Sequence, residues 1–97
     1  MRAWEIRAGV LGLRTVQPAE PSDDEVTISV HLAGLCGSDV AKLVNPGAFH
    51  LPPTWRPGHE IVGADPTGRL VVVDPLISCA DCSRCQAGDV HLCSSLR

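Results

Sequence analysis

The sequence predicts a mainly β fold, part of a β-barrel or sandwich-like element, with a cysteine-rich lobe at its C-terminal end. Three observations carry this. Val26, Ile28, Val30 and Leu32 alternate with Thr27, Ser29, His31 and Ala33, the period-two pattern of a strand half-buried against a core. Nine glycines and eight prolines punctuate the 97 residues at short intervals, as a set of short strands requires. No helical periodicity persists long enough for a long helix, and there are no repeats or low-complexity tracts.

The elements follow in order. Residues 1–8 read as a short first strand and Leu11 to Val16 as a second, joined at Gly9. Gln17-Pro18-Ala19-Glu20-Pro21-Ser22-Asp23-Asp24 is a polar turn segment. The alternating strand from Val26 runs into Gly34-Leu35-Cys36-Gly37-Ser38-Asp39, a glycine-flanked turn, after which Ser38 or Asp39 is placed to N-cap a short helix through Val40–Leu43. Asn45-Pro46-Gly47 ends that helix. A stretch bearing Pro52, Pro53 and Pro57 leads to Gly58-His59-Glu60-Ile61-Val62-Gly63. Asp65-Pro66-Thr67-Gly68 reads as a tight turn and Leu70 to Val73 as a buried strand. From Ser78 onward the chain is a cysteine-rich loop.

Composition narrows the function. Hydrophobic residues at 44% and charged residues at 20% argue against disorder, yet a domain this short is marginal without a metal, disulfides or a partner. Two Trp, one Phe and no Tyr supply few base-stacking platforms, and a formal charge of −3 lacks the basic face that phosphates need. A nucleic-acid partner is therefore not expected. No run approaches the roughly 20 apolar residues that span a bilayer. Glu5 stands where a signal peptide would carry its apolar run, so a cytoplasmic, reducing location is expected. There, five cysteines read as metal ligands rather than as a disulfide framework, and an odd number cannot all pair within one chain.

Cys79, Cys82, Cys85 and Cys93 follow C-x2-C-x2-C-x7-C. Two-residue gaps let successive thiolates turn inward around one tetrahedral ion, and the longer gap, containing Gly88-Asp89, lets the chain loop back with the fourth. Four protein ligands leave no position for substrate, so this reads as a structural zinc site. Four free or oxidised thiols are the plain alternative. An iron–sulfur cluster is the stronger competitor, but the bacterial ferredoxin run has three-residue spacing and a proline after its last cysteine, where this chain has seven residues and Ser94. His91 is near enough to substitute as a ligand, although a surface role suits it better. Metal binding would also stabilise the fold, since an unfolded loop has no preformed site.

Cys36 stands apart from the lobe. With His59, Asp39 and Glu60 on glycine-shaped loops it forms a candidate open metal site, the catalytic kind that holds about three protein ligands and keeps one position for water or substrate. Cys36 and His59 would be two ligands. Asp39 could orient the His59 ring by accepting its other N–H, and Ser38 could take a proton from an alcohol. Taken singly, each piece has a plainer reading: a lone cysteine after a strand is usually a small buried hydrophobe, and Gly-His-Glu is usually a turn.

Together, Gly34-Leu35-Cys36-Gly37-Ser38-Asp39, Pro57-Gly58-His59-Glu60-Ile61-Val62-Gly63 and the four-cysteine lobe, in this order, resemble the N-terminal, GroES-like part of the zinc-dependent medium-chain alcohol dehydrogenases, including the sorbitol, threonine and cyclitol dehydrogenases. The opening Met1-Arg2-Ala3 and the Asp24-Glu25-Val26 lead-in to the strand are similar too, so the resemblance covers nearly the whole chain. It implies a partial GroES-like β-barrel over 1–97, with 78–97 as the structural-zinc lobe. It implies Cys36 and His59 as catalytic-zinc ligands, Glu60 as the acid that approaches the metal during ligand exchange, Ser38 as the hydroxyl that passes the alcohol proton, and Asp39 as the partner of the histidine. Cys79, Cys82, Cys85 and Cys93 match the structural zinc. The implied chemistry is oxidation of a primary or secondary alcohol to a carbonyl, with hydride passing to NAD(P)+.

Three departures qualify the resemblance. Many relatives carry a histidine five residues after the zinc cysteine, where this chain has Ala41, so a proton relay must leave by another route. The segment between Gly63 and Val71 is shorter than usual. Finally, the resemblance places a third catalytic-zinc ligand, the rest of the barrel and the dinucleotide-binding Rossmann domain beyond Arg97, and no G-x-G-x-x-G follows a strand here. The expectation is thus an N-terminal fragment, inactive alone, of a zinc-dependent NAD(P)-linked alcohol or polyol dehydrogenase. In the complete enzyme a small-molecule alcohol is the substrate, and a homo-oligomer is implied. The alternative is a stand-alone zinc-binding GroES-like module that docks on a partner without catalysis.

Overall fold

A computed structural model describes the whole chain, Met1–Arg97. It contains two three-stranded antiparallel sheets, one eight-residue helix and the cysteine lobe. In the first sheet, β1 (Arg2–Arg7) and β2 (Val10–Thr15) form a hairpin. Its two-residue loop, Ala8-Gly9, has φ of 46° and 80°, the double left-handed geometry that matches the twist of paired strands. The other edge of β1 takes β4 (Thr54–Trp55), with Ile6 opposite Trp55, giving the order β2-β1-β4.

The second sheet has the order β3-β5-β6, from β3 (Ser29–Gly34), β5 (Glu60–Ala64) and β6 (Leu70–Val73). The turn between β5 and β6 is the expected Asp65–Gly68 turn. Asp65 Oδ1 accepts hydrogen bonds from the amides of Thr67 at 2.9 Å and Arg69 at 3.0 Å, and Gly68 takes a φ of 86°, open to it because glycine has no Cβ.

After β3 the chain enters α1 (Gly37–Val44) almost at once. Its N-cap is Cys36, not Ser38 or Asp39 as the sequence suggested. Gly37 already begins the helix, which moves Ser38 and Asp39 into the first turn, and Asp39 reaches back to the Cys36 amide as an N3 acid does in a capping box. After Asn45 a 3-10 turn (Pro46–Ala48) ends the helical run. In the lobe, a single helical turn, α2 (Ser83–Gln86), is followed by a 3-10 turn at Val90–Leu92. The lobe's two ends are clasped by reciprocal backbone hydrogen bonds between Ile77 and Arg97, 2.7 and 3.0 Å long.

Two strand expectations are corrected in detail. The alternating strand begins at Ser29 rather than Val26, and its apolar residues are not half-buried: Val30 and Leu32 are 55% and 72% exposed. Leu70 and Val72, expected in a buried strand, are 66% and 78% exposed. The reason is spatial. No strand of the first sheet comes within 8 Å, Cα to Cα, of a strand of the second, so the apolar faces of β3 and β6 lack a covering layer. Only Glu5, Ile6, Val16, Asp39, Gly63 and Cys93 are buried. A radius of gyration of 15.6 Å, against about 13 Å for a compact chain of this length, describes the same openness. No helix is long and apolar enough to cross a membrane.

Candidate metal centre

The lobe converges on its four sulfurs. Cys79, Cys82, Cys85 and Cys93 place their Sγ atoms within 4.8 Å of one another, with Cys82–Cys85 at 3.6 Å and Cys79–Cys85 at 4.0 Å. A tetrahedron of sulfurs about 2.3 Å from one zinc ion would have edges of about 3.8 Å, so the spacing is that of a single ion. Local backbone geometry builds it. Ala80 adopts a φ of 61°, and the Cys82 amide donates to Cys79 Sγ at 3.3 Å. The Cys79 and Ser95 amides both donate to Cys93 Sγ at 3.3 Å. Gly88, at φ 89°, turns the chain back toward Cys93. His91 is exposed and outside this set.

Electrostatics support a cation at the centre. Amide donation from Cys85 and Ser94 pulls the Cys82 thiol down to about 5, and amides of Asp81 and Cys82 lower Cys79. Burial, reinforced by the neighbouring sulfurs, pushes Cys85 up to about 11. Amide dipoles thus favour some thiolates, while mutual repulsion forbids all four in so small a volume. A dication removes that repulsion and deprotonates the remaining thiols. Soft sulfur donors in a closed set of four suit zinc in a structural role.

The second group of chemistry-bearing residues lies where α1 meets the lead-in to β5. The Asp39 carboxylate, 2% exposed, accepts hydrogen bonds on Oδ2 from the amides of Cys36 at 3.1 Å and Gly58 at 3.2 Å. The same oxygen stands 3.4 Å from His59 Nδ1. Burial alone would raise the Asp39 pKa, but the two amides and the imidazole outweigh it and hold the carboxyl below its ordinary range. With Nδ1 directed at Asp39, the Nε2 edge of a partly exposed His59 is left for another partner. Gly58, at φ 90°, packs under Ala33, whose Cβ would lie 3.4 Å from an added Cβ.

Glu60 opens β5 beside Gly34, where an added Cβ would sit 2.8 Å from Glu60 Oε2. Ser38 is exposed on the first turn of α1, and Cys36 is half-buried at its cap. Asp39 thereby gathers the Cys36 backbone, Gly58 and His59. The side chains of Cys36, His59 and Glu60 do not form a three-ligand cluster of the kind found in the lobe.

Sequence reasoning missed the roles of Gly34 and Gly58 as room for neighbours, although their place in glycine-flanked turns was a signal. It also missed an ion cluster around Glu5, whose partner Arg56 is 51 residues away and leaves no local pattern.

Antiparallel β-sheets, a closed four-cysteine lobe suited to zinc and a separate Cys–His–Asp corner together define a zinc-binding domain. Residues 22–97 match the alcohol dehydrogenase GroES-like domain, and the chain belongs to that family, as part of the N-terminal portion of the zinc-dependent medium-chain alcohol dehydrogenases. It is 32% identical over 96 residues to a zinc-type alcohol dehydrogenase-like protein of Haemophilus influenzae, covering 88% of this chain and 28% of that one. It is 32% identical over 95 residues to an L-threonine 3-dehydrogenase of Coxiella burnetii, covering 86% of this chain and 28% of the relative. The fold superposes on the crystal structure of an NAD-dependent alcohol dehydrogenase with a TM-score of 0.85 at 29% identity, over 100% of this chain and 32% of that one. The chain therefore spans less than a third of the length of these relatives.

Proposed function

We propose that residues 1–97 are the N-terminal part of the catalytic domain of an NAD(P)-linked, zinc-dependent alcohol or polyol dehydrogenase, which converts a primary or secondary alcohol to a carbonyl compound. The observation that carries this reading is the Asp39–His59 pair at 3.4 Å, set beside Cys36 in a chain that also holds a separate four-sulfur lobe. A closed four-thiolate site and a separate open Cys–His corner match the two roles zinc can take, one structural and one catalytic.

In this reading Cys36 and His59 hold the working zinc with a third ligand from outside these residues, and Cys79, Cys82, Cys85 and Cys93 hold the structural one. A zinc ion held there would supply Lewis-acid polarisation of the substrate oxygen. Asp39 fixes the His59 ring and tautomer through Nδ1. Ser38, exposed on the first turn of α1, takes the alcohol proton, and Glu60 stands next to His59 as the acid that approaches the metal. Ala41 offers no onward proton acceptor, so the proton leaves from Ser38 by water. The nicotinamide cofactor is held by a Rossmann domain outside residues 1–97, the substrate is a small-molecule alcohol, and the complete enzyme is a cytoplasmic homo-oligomer.

The uncovered apolar faces of β3 and β6 favour a part of a larger domain over an independent module. Zinc analysis of the purified chain tests the assignment. One zinc per chain is expected, retained in Cys36→Ser and lost when Cys82 and Cys85 are both replaced by Ser. Two zincs falling to one in Cys36→Ser would mean that the open site completes itself, and would overturn the reading of these residues as an incomplete part.

A further inference from the structure

The first sheet carries a charge cluster that the zinc chemistry does not use. Glu5 lies opposite Gly12 on β2, and continuing the β1–β4 register past Ile6–Trp55 brings Arg56 opposite it on the other side. The Glu5 carboxylate is 2% exposed. It accepts from Arg7 Nε on one oxygen and from Arg56 Nε, at 3.1 Å, on the other. Arg14 folds back over Gly12, where an added Cβ would lie 3.4 Å from its terminal nitrogen, and brings its Nε to 4.0 Å from Glu5.

We propose that Arg7, Arg14 and Arg56 form a binding site for a small dianion of the phosphate-monoester type. Three guanidinium groups surround one carboxylate, and none of them pairs with any other acid. The cluster therefore carries a surplus of two positive charges in a chain whose net charge is −3. Solvent screens part of that surplus, since the arginine side chains are 34–54% exposed, and what remains is a positive potential that favours a matching anion. The Arg14 Nε is buried, faces Glu5 at 4.0 Å and has no hydrogen-bond partner, so Glu5 compensates the Arg14 charge less closely than those of Arg7 and Arg56. Because all three arginines face Glu5 through Nε, their remaining N–H groups are available, and the guanidinium fork suits phosphate oxygens. An open cleft beside the cluster is lined by Glu5, Thr54, Trp55 and Arg56; Thr54 adds a hydroxyl donor and Trp55 an indole wall, while the Glu5 carboxylate is already paired with Arg7 and Arg56. The inference rests on charge and geometry in the first sheet and is independent of the zinc assignments.

The test is an NMR titration of the zinc-loaded 97-residue chain with sulfate, following the arginine Nε–H signals at ionic strength held constant with sodium chloride. A saturable shift of the Arg14 signal is expected, with acetate binding about 10-fold more weakly because it carries one charge. Arg14→Gln should weaken sulfate binding by about 10-fold or more, and Arg14→Lys, which keeps charge without the planar fork, should fall between. If Arg14→Gln loses a dispersed spectrum, Arg14→Lys decides the matter. A shift that chloride reproduces, acetate binding equal to sulfate, or undiminished sulfate binding in the folded variants would each overturn the proposal.

Discussion

Asp39 Oδ2 lies 3.4 Å from His59 Nδ1 while accepting the Cys36 and Gly58 amides, so one oxygen ties the start of α1 to the start of β5. Replacing it removes the only acceptor those two amides have in a nearly closed environment. Asp39→Ala is expected to lower unfolding free energy by about 2–4 kcal/mol, the cost of orphaning two partly buried donors, read from urea denaturation of the zinc-loaded chain. Asp39→Asn keeps an acceptor oxygen and should lose less than half as much. Equal losses in the two variants would mean that the carboxylate charge, not the hydrogen bonding, holds this junction.

Glu5 gives the fold a defined acid sensitivity. Arg7 first, then Arg56, lower its pKa below the ordinary 4.5 against the opposing effect of burial. A depressed carboxylate stabilises the folded state fully above its unfolded pKa and loses that contribution as pH falls through the folded one. The melting temperature should therefore hold near neutrality and decline below about pH 4.5. Glu5→Gln should melt lower than the native chain at pH 7, and the gap should close as the pH falls through this window. A gap independent of pH would show that Glu5 acts by packing alone.

What the sequence disclosed depends on how local each feature is. The β1–β2 hairpin, the Asp65–Gly68 turn and the four-cysteine set are written in residues a few positions apart, where glycine placement and ligand spacing translate directly into geometry. β5 was read only as the stretch bearing His59 and Glu60, because Gly63 interrupts its apolar run. β4 is two residues among prolines and has no periodicity at all. The N-cap at Cys36 escaped because better capping residues, Ser38 and Asp39, stand just beyond it. Burial was misjudged on β3 and β6 because alternation reports which face a strand would bury, not whether anything is there to cover it. The Glu5–Arg56 pairing joins residues 51 positions apart, beyond any local rule.

Ala8 is a strained position. It takes a φ of 46° in the loop between β1 and β2, where an L-residue with a Cβ pays about 1–2 kcal/mol over the right-handed alternative. Asn-Gly is the favoured pair for such a loop, and the Ala8 amide's hydrogen bond to Pro53 O at 2.9 Å uses only backbone. Ala8→Asn is therefore expected to stabilise the chain by about 0.5–1 kcal/mol, seen as a higher midpoint in urea with an unchanged slope. Ala8→Val, which resists left-handed geometry, should shift the midpoint the other way.

Gly63 is required for a different reason, since its φ is not left-handed. In the centre of β5 it pairs with Val30 of β3 and Val71 of β6, and a Cβ there would collide with the Ser29 carbonyl oxygen and lie 2.8 Å from Ile28 Cγ2. A backbone carbonyl cannot rotate aside as a side-chain tip can, so β3 would have to move away from β5, next to an existing register irregularity between Val30 and Leu32. Gly63→Ala should cost about 1–3 kcal/mol, the usual penalty for forcing atoms into filled space, with faster hydrogen exchange at the amides of β3. Gly47→Ala is the matched control, because nothing lies within 4 Å of its added Cβ, and it should change stability by less than about 0.5 kcal/mol. If both substitutions cost the same, close strand approach is not what Gly63 provides, and its effect would have to come from the unfolded chain instead.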